Sequence, residues 1–366
     1  MDQQLLTTMA ISHGILPLVY KSIKEFNANA PSGNALGVHE ILPAFKQQYL
    51  NIASRNMLMS AELIRIMKLL DENNIEALAF KGPALSQMAY GDITLRQYVD
   101  LDILVDEKHT FKAGELISSS NYIPDSDINF LKNEKLLEVS SDLGFSNERN
   151  NIYIELHWKL FRKKFSKTMN ELNIRSNHTS IEIQGKKIKT LQTDLLLVYL
   201  CSHGSKHMWE RIEWITDIDR LIRNVQSINW EEVWEYARKM HSINTLLLGL
   251  SLSQGLFDTD LPTFIEEKID SHKNIHLLKA DTLGLLANNT STLTQDFRIT
   301  AIFKKFNYHA KLYDSFWDKT KFYFTILFKL TPDDVLNIDL PKQLYFLYYF
   351  IRPFRLIYSR LNYRDK

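Results

Sequence analysis

Two aspartates lie one residue apart inside an otherwise apolar segment of the chain. The segment YVDLDILV, residues 98–105, has the composition of a buried strand and contains Asp100 and Asp102. Because side chains alternate along a strand, both carboxylates share one face and the apolar residues share the other. Two carboxylates this close resist ionisation unless a cation lies between them. The pattern therefore predicts a divalent-ion site; the plainer alternative is an edge strand with a solvated polar face.

A predicted strand that runs into a glycine and then into a helix precedes the aspartates. The segment LAFKGPAL, residues 78–85, places Gly82 before Pro83, and proline suits the first turn of a helix. Glycine lets the backbone approach a ligand closely, and the free N–H groups of a helix start bind phosphate. Lys81 adds a positive charge at the same place. The segment predicts a phosphate site.

A third carboxylate follows on another predicted strand, NIYIELHW, residues 151–158. Alternation places Tyr153, Glu155 and His157 on one face, and this strand could lie beside the aspartate strand. Arg96, just before that strand, is placed to meet a triphosphate oxygen. A glycine turn, paired aspartates and a third acid on a neighbouring strand are together what two-metal nucleotidyl transfer requires.

The elements that position these residues fall into three zones. Residues 1–73 have helical periodicity, interrupted by a loop-like stretch at 27–37, and residues 192–366 are helical again. Residues 74–191 contain strand-like pieces with helices between them, at Pro83–Tyr90 and His109–Ser118. The layout predicts an α+β fold: a small mixed sheet between a helical N-terminal region and a larger helical C-terminal domain.

Composition excludes several classes of protein. The chain has 366 residues, with 44 basic and 43 acidic residues and a net charge of +1, which counts against long nucleic acid as a partner. One cysteine, Cys201, excludes a disulfide scaffold and suits a reducing compartment. The N-terminus lacks the features of a secretory signal, and no apolar run is long enough to span a bilayer. We expect a soluble, cytoplasmic protein.

The order of these residues resembles the nucleotidyltransferase superfamily with the DNA-polymerase-beta-like palm. It is more closely similar to a bacterial group described only as nucleotidyltransferase family proteins. That group has a Lys-Gly-x-Ala-Leu start, an Arg before an Asp-x-Asp strand, and a later Glu-Leu-His-Trp. The corresponding residues here are Lys81-Gly82-Pro83-Ala84-Leu85, Arg96, Asp100-Leu101-Asp102 and Glu155-Leu156-His157-Trp158. Segments near both termini and at 201–222 extend the resemblance over nearly the whole chain.

The resemblance implies a reaction and a set of ligands. Two Mg²⁺ (or Mn²⁺) ions held by Asp100, Asp102 and Glu155 would bind a nucleoside triphosphate, with ATP as the expected donor. A nucleoside monophosphate would pass to an acceptor hydroxyl with release of pyrophosphate. Glu155 could be a metal ligand or the general base, and His157 could assist proton transfer or only bond a neighbour.

The turn departs from the superfamily pattern, which is Gly-Gly or Gly-Ser rather than Gly82-Pro83. The serine hydroxyl that would contact phosphate is therefore missing, and Ser86 or Lys81 could replace it. Nucleotide contacts are expected from Lys81, Gly82, Ser86 and Arg96.

The segment CSHGSKHMWERIEWITDIDRLI, residues 201–222, carries a further group of polar side chains. His203 and His207 are spaced to share one helix face, with Arg211 one turn further. A lone H-x-x-x-H is weak evidence for a metal site. One interpretation is a helix that closes over the palm and presents these three residues to the nucleotide or the acceptor. The alternative is that the histidines pack between domains; Trp209 and Trp214 are expected in the core.

The C-terminal segment 340–364 is both aromatic and basic. We expect its aromatic rings to form core while its arginines stay in water, although such a helix can also lie on a membrane or along nucleic acid.

The identity of the acceptor is left open by the sequence: a small molecule, a sugar, a protein side chain or an RNA end would all suit. Two other functions remain as alternatives. One is a phosphotransferase acting on a biosynthetic intermediate. The other is a non-catalytic scaffold that binds a nucleotide or a partner, and it would not need the three carboxylates.

Overall fold

The computed structural model describes residues 3–29, 38–160, 178–287, 299–313, 315–338 and 340–362. Most of the loop predicted at 27–37 and the end of the segment 340–364 lie outside the described residues. The predicted α+β class is confirmed, because helices precede and follow a small mixed sheet. The division into three domains stays a prediction.

The N-terminal and central parts contain six α-helices and seven strands among the described residues. The helices are α1 Gln3–Ser12, α2 Leu16–Asn29, α3 Val38–Glu72, α4 Gly82–Tyr90, α5 Thr110–Ser119 and α6 Glu134–Val139. The strands are β1 Ala77–Ala79, β2 Asp100–Val105, β3 Ile123–Pro124, β4 Asp142–Asn147, β5 Ile152–His157, β6 His178–Ile183 and β7 Lys186–Leu191. Short 3₁₀ helices span Glu107–His109 and Ile128–Lys132.

The rest of the described chain is helical. Its helices are α7 Thr193–Lys206, α8 Ile212–Asn224, α9 Trp230–Lys239, α10 Ile243–Phe257, α11 Thr263–Ser271, α12 Lys273–Ala287, α13 Ile299–Lys311, α14 Phe316–Phe328, α15 Pro332–Asn337 and α16 Leu347–Asn362, with a 3₁₀ turn at Lys342–Leu344. Among the described residues, no helix combines the length and apolarity needed to cross a bilayer.

The main sheet has the strand order β1-β2-β5-β4-β3. Strands β2 and β5 are parallel, and the other neighbours are antiparallel. The parallel pair sets Asp100 opposite Tyr153 and Asp102 opposite Glu155. A separate antiparallel hairpin, β6–β7, turns at Gln184 and Gly185, which both have positive φ.

Strand β2 is held by apolar side chains on the face away from the carboxylates. Leu101, Ile103 and Val105 are all buried, as alternation requires, and they pack with α3 and β5 in one hydrophobic cluster. A second cluster joins Phe80 and Leu104 of the sheet region to the core of α7, α8 and α10. The sheet is thus packed on both sides by helices, and the end of β1 is fixed against α7.

Two expectations for the helical part are wrong. The segment 201–222 is not one helix: α7 ends at Lys206, Met208 and Trp209 adopt positive φ, and α8 begins only at Ile212. The C-terminal aromatic rings do not form core throughout, because Phe350 and Phe354 are mostly exposed.

The two arginines of this segment whose side chains are described do not stay in water either. Arg352 is only 7% exposed because it forms an ion pair with Asp334 at 2.5 Å, and Arg355 contacts the other oxygen of that carboxylate. Helix α16 is thus held both by this shared acid and by the buried ring of Tyr348, while Phe350 and Phe354 face outward.

Candidate active site

Three acidic side chains reach one cavity from two neighbouring strands. Asp100 and Asp102 come from β2 and Glu155 from β5, and the parallel register sets Asp102 directly opposite Glu155. His157, two residues further along β5, lies on the same face. A cavity of about 540 Å³ lies between this edge of the sheet and helices α7 and α8. Asp100, Glu155 and His157 line it, and Asp102 is buried and hydrogen-bonded to His157.

Asp102 is the most constrained of these groups. Its side chain is buried, and Lys81 Nζ (2.7 Å) and His157 Nε2 (3.2 Å) both contact the same oxygen, Oδ1. Burial alone would raise the pKa of this carboxyl, but the Lys81 charge and the His157 hydrogen bond outweigh it and lower the pKa to about 2. The other oxygen, Oδ2, is buried and has no hydrogen-bond partner in the described part of the chain.

The neighbours of Asp102 are shifted in complementary directions. Burial disfavours the charged form of His157, yet its hydrogen bonds to Asp102 and to Glu155 (3.1 Å) raise its pKa to about 9. Burial and the adjacent Asp102 charge raise the pKa of Asp100 to about 6. For Lys81, attraction to Asp102 exceeds the effect of burial and raises the pKa. The site therefore concentrates negative charge that only a few cationic groups balance.

The donor set suits a divalent cation. One ligand atom each from Asp102, Glu155 and His157 lie within 4.8 Å of one another. Carboxylate oxygens are the ligands Mg²⁺ prefers, and imidazole nitrogen also binds Mn²⁺-like transition metals. The unpartnered Oδ2 of Asp102 is what a carboxylate arranged for a cation would show. The residues present fit a metal site.

The glycine turn lies beside this centre but offers few free amides. Gly82 has φ +51°, and a Cβ there would come within 3.0 Å of the Asp100 carbonyl oxygen. At the start of α4, Pro83 has no N–H, and the Ala84 and Leu85 N–H groups donate to the Lys81 carbonyl. The predicted cluster of free N–H groups is therefore reduced to Gly82, and at this turn Lys81 lines the cavity whereas Gly82 does not.

Ser86 is not among the residues that line the cavity. It is fully buried, and its hydroxyl donates to the Asp92 carbonyl at 2.9 Å. This bond fixes the loop that leads to β2.

Arg96 lines the cavity but its guanidinium is already engaged. Its Nε and Nη2 donate to the two oxygens of Asp217 at 2.9 and 3.0 Å. Tyr90 donates to the same carboxylate at 2.8 Å, and Glu213 lies 3.7 Å from the guanidinium. Asp217, on α8, thus positions Arg96.

Glu213 is a functional candidate that the sequence reasoning missed. It lines the cavity, is 2% exposed, and binds Arg211 at 2.7 Å through one oxygen. Burial raises the pKa of Glu213 to about 7 against the opposing influence of Arg96 and Arg211. The only sequence signal was its spacing of four residues from Asp217 on α8, which places both acids on one helix face.

The turn between α1 and α2 packs against the Arg211–Glu213 ion pair. The His13 carbonyl accepts the Glu213 N–H at 3.0 Å, and Gly14 has φ +72°. A Cβ on Gly14 would lie 2.2 Å from Glu213 Oε2 and 2.5 Å from Arg211 Nη2. The N-terminal segment ISHG thus reaches the site through backbone packing.

The histidines of the 201–222 segment form a wall of rings in the same cavity. His203 packs on His207 (ring centroids 4.8 Å apart), on Trp214 (5.6 Å) and on Tyr199 (5.9 Å), and all four line the cavity. Burial lowers the pKa of His203, and it lowers that of His207 to about 3, with nearby lysines adding to both effects. Trp214, expected in the core, is half-buried and belongs to this wall.

The chain is similar to a described protein family and to a solved structure. The family description "Uncharacterised nucleotidyltransferase" matches residues 1–258. A crystal structure of an antigenic nucleotidyltransferase-like protein from Paracoccidioides brasiliensis is 17% identical over 51% of this chain and 90% of that chain, with a TM-score of 0.34. No curated protein matches the sequence.

Proposed function

Because the chain belongs to the family of uncharacterised nucleotidyltransferases, we propose that it moves a nucleoside monophosphate from a nucleoside triphosphate to an acceptor hydroxyl. The observation that carries the proposal is the β2–β5 register, which places Asp102 opposite Glu155 beside a cavity of about 540 Å³. Asp100 joins them from the same face of β2. The family assignment supports a transferase, and the carboxylate set supports its metal dependence.

Asp100, Asp102 and Glu155 are the residues that would hold Mg²⁺ or Mn²⁺. When bound there, divalent cations supply charge neutralisation for the triphosphate and lower the pKa of the acceptor hydroxyl. Lys81, at 2.7 Å from Asp102, holds that carboxylate ionised and oriented in the metal-free protein. His157 hydrogen-bonds Asp102 and Glu155 and so fixes the spacing of the two acids.

The two ends of the cavity suggest how the nucleotide lies. Lys81 and Arg211 line the cavity and would face the phosphates, and Arg96 adds charge from a position fixed by Asp217. His203 and His207 are neutral at physiological pH, so they would bind a planar base by ring contacts rather than attract phosphate. His203 and His207 would therefore contact the base of the nucleotide and not its phosphates, while they still lie in the same site.

The proposed transfer forms one bond to the α-phosphorus and breaks another. The acceptor oxygen forms a bond to the α-phosphorus, and the bond from that phosphorus to the α,β-bridging oxygen breaks. The electron pair of that bond leaves with pyrophosphate. The acceptor proton passes to Glu155, which at 31% side-chain exposure is open to the cavity. His157, hydrogen-bonded to Glu155, would stabilise the negative charge of the Glu155 carboxylate before the proton is transferred.

Calorimetry with ATP, GTP, CTP and UTP, each with and without Mg²⁺, tests the proposal. We expect Mg²⁺-dependent binding of at least one triphosphate, and the preferred one identifies the donor for an acceptor search. In the subsequent reaction, release of pyrophosphate supports nucleotidyl transfer, whereas release of the nucleoside diphosphate indicates a phosphotransferase. A folded protein that binds none of the four contradicts the proposal and favours the scaffold alternative.

A further inference from the structure

Glu213 is a buried acid at the candidate active site that the proposed transfer does not use. Its side chain is only 2% exposed, yet it lines the same cavity as Asp100 and Glu155. An acid this buried needs a counter-ion or a proton, because burial disfavours its charged form. The cations within reach are Arg96, from the loop before β2, and Arg211, at the start of α8. The state of these two arginines therefore decides the charge of Glu213.

Arg96 is shared with a second acid. Its guanidinium donates to both oxygens of Asp217, at 2.9 and 3.0 Å, whereas Glu213 Oε1 lies 3.7 Å from it. That oxygen has no hydrogen-bond partner in the described part of the chain. Arg96 attracts Glu213, but Asp217 repels it and offsets part of this attraction. Arg96 would also keep its two-point contact with Asp217 when a ligand enters the cavity.

Arg211 has Glu213 as its acidic partner among the described residues. Arg211 Nη2 lies 2.7 Å from Glu213 Oε2, while Arg211 Nε is without an acceptor in that part of the chain. At 30% side-chain exposure Arg211 also reaches the open cavity, where the proposed function places the triphosphate. Guanidinium groups bind phosphate and carboxylate oxygens in the same way. The triphosphate and Glu213 would thus compete for one guanidinium.

The other titratable groups around Glu213 do not replace a lost counter-ion. Asp217, one turn along α8, and Asp100, on β2, both repel its charge. His13, whose carbonyl accepts the Glu213 N–H, stays neutral near pH 7, because burial and the Arg211 charge lower the pKa of its ring. Even with both arginines in place, burial raises the pKa of Glu213 to about 7. A loss of positive charge beside this acid would therefore protonate it.

We propose that Glu213 is a positioning residue that holds Arg211 in place before the nucleotide binds and takes up a proton when the triphosphate engages Arg211. The proton comes from solvent and adds to the Glu213 carboxylate, and no bond of the nucleotide changes. The Mg²⁺ complex of a triphosphate still carries net negative charge, so it both occupies the guanidinium and repels the acid. Protonation then leaves Glu213 buried without an unpaired charge. The inference rests on the proposed function, which supplies the triphosphate.

Calorimetry in two buffers of different ionisation enthalpy tests the inference, because the buffer heat measures the protons taken up. The ligand is the tightest-binding Mg²⁺ complex of ATP, GTP, CTP and UTP, titrated into the full chain. The wild type should take up about 0.5 proton more per bound triphosphate than Glu213→Gln at pH 7, and about 0.9 more at pH 8. Between these two pH values its affinity should fall about fivefold more than that of the variant. Glutamine keeps the size of the side chain but does not titrate, so proton changes at the metal-binding residues cancel in the comparison.

Two further variants complete the test. Glu182→Gln, at an exposed position of β6, should take up as many protons as the wild type. Arg211→Gln removes the counter-ion in advance, so it should bind the triphosphate more weakly and lose most of the extra uptake at pH 7. Because Arg211 is partly exposed, this variant also serves if Glu213→Gln does not fold.

The outcomes separate the inference from the proposed function. Triphosphate binding with equal proton uptake in the wild type, Glu213→Gln and Arg211→Gln would overturn the inference and leave the proposed function standing. A folded wild type that binds none of the four triphosphates would overturn the proposed function and this inference with it.

Discussion

Arg96 and Asp217 form a two-point ion pair between residues 121 positions apart, with both guanidinium-to-carboxylate contacts near 3 Å. Both side chains are nearly fully buried beside the cavity. The pair ties the loop before β2 to helix α8 and so couples the carboxylate strand to the helical part. It also explains why Arg96 has a fixed direction when it faces the site.

Asp217→Asn should destabilise the protein by about 3–5 kcal/mol, because it leaves the Arg96 charge buried without its counter-ion. Denaturant unfolding followed by circular dichroism measures this change. Glu235→Gln is the matched control, since it breaks the exposed Arg238–Glu235 pair and should change the free energy of unfolding far less. Equal losses of unfolding free energy in the two variants would show that the buried Arg96–Asp217 pair stabilises the protein no more than an exposed pair does.

Glu155→Gln should abolish Mg²⁺-dependent triphosphate binding while changing the melting temperature little, because Glu155 is partly exposed and its partner His157 keeps Asp102 as a counter-ion. Asp102→Asn should lose both binding and stability, since it removes the counter-ion of Lys81. Calorimetry and thermal unfolding separate the two effects. Glu182→Gln, at an exposed position of β6, is the control and should behave as the wild type. Retained Mg²⁺-dependent binding in Glu155→Gln would remove this residue from the metal site.

The rings of His203, His207, Trp214 and Tyr199 predict that mutation of one of them changes the affinity for a nucleotide but not for a phosphate chain without a base. His207→Leu should weaken binding of the preferred triphosphate about tenfold but leave Mg²⁺–tripolyphosphate binding unchanged, because only the former has a base to stack. His207→Phe keeps an aromatic ring and should largely restore binding. If the leucine variant weakens both ligands equally, His207 contacts phosphate and not the base.

The same histidine predicts a pH effect on stability. Burial lowers the pKa of folded His207 to about 3, below the ordinary histidine value of 6.5, so the neutral form is favoured in the native state. Its contribution to stability is fully present above pH 6.5 and is lost as the pH falls towards 3. The free energy of unfolding of His207→Phe should therefore decline less than that of the wild type between pH 6.5 and 4.5. Parallel declines would mean that the His207 ring titrates normally.

Gly14 should tolerate no side chain. Gly14→Ala combines a left-handed backbone, φ +72°, with a Cβ 2.2 Å from Glu213 Oε2, and we expect a loss of about 2–5 kcal/mol together with weakened triphosphate binding. Gly185→Ala has the same φ of +72° but open space around the new Cβ, so it should cost only about 1–2 kcal/mol and leave binding intact. Equal effects would show that backbone strain alone acts at Gly14.

The sequence by itself determined which residues could do chemistry and how they group locally. Alternation along a strand is enough to place Asp100 and Asp102 on one face, and Glu155 with His157 on one face, because the two-residue period of a strand depends on no distant contact. The glycine-to-helix turn at Gly82 was equally local. These predictions agree with the strands β2 and β5 and with helix α4.

Only the tertiary structure decided which groups meet and in what state. The parallel register of β2 with β5, the Arg96–Asp217 pair and the packing of Gly14 on Glu213 join segments separated by tens to hundreds of residues. No short-range period encodes such pairings, since they depend on how the intervening helices pack. The neutral state of His207 and the outward-facing rings of Phe350 and Phe354 follow for the same reason: burial and local charge are set by neighbours from distant parts of the chain.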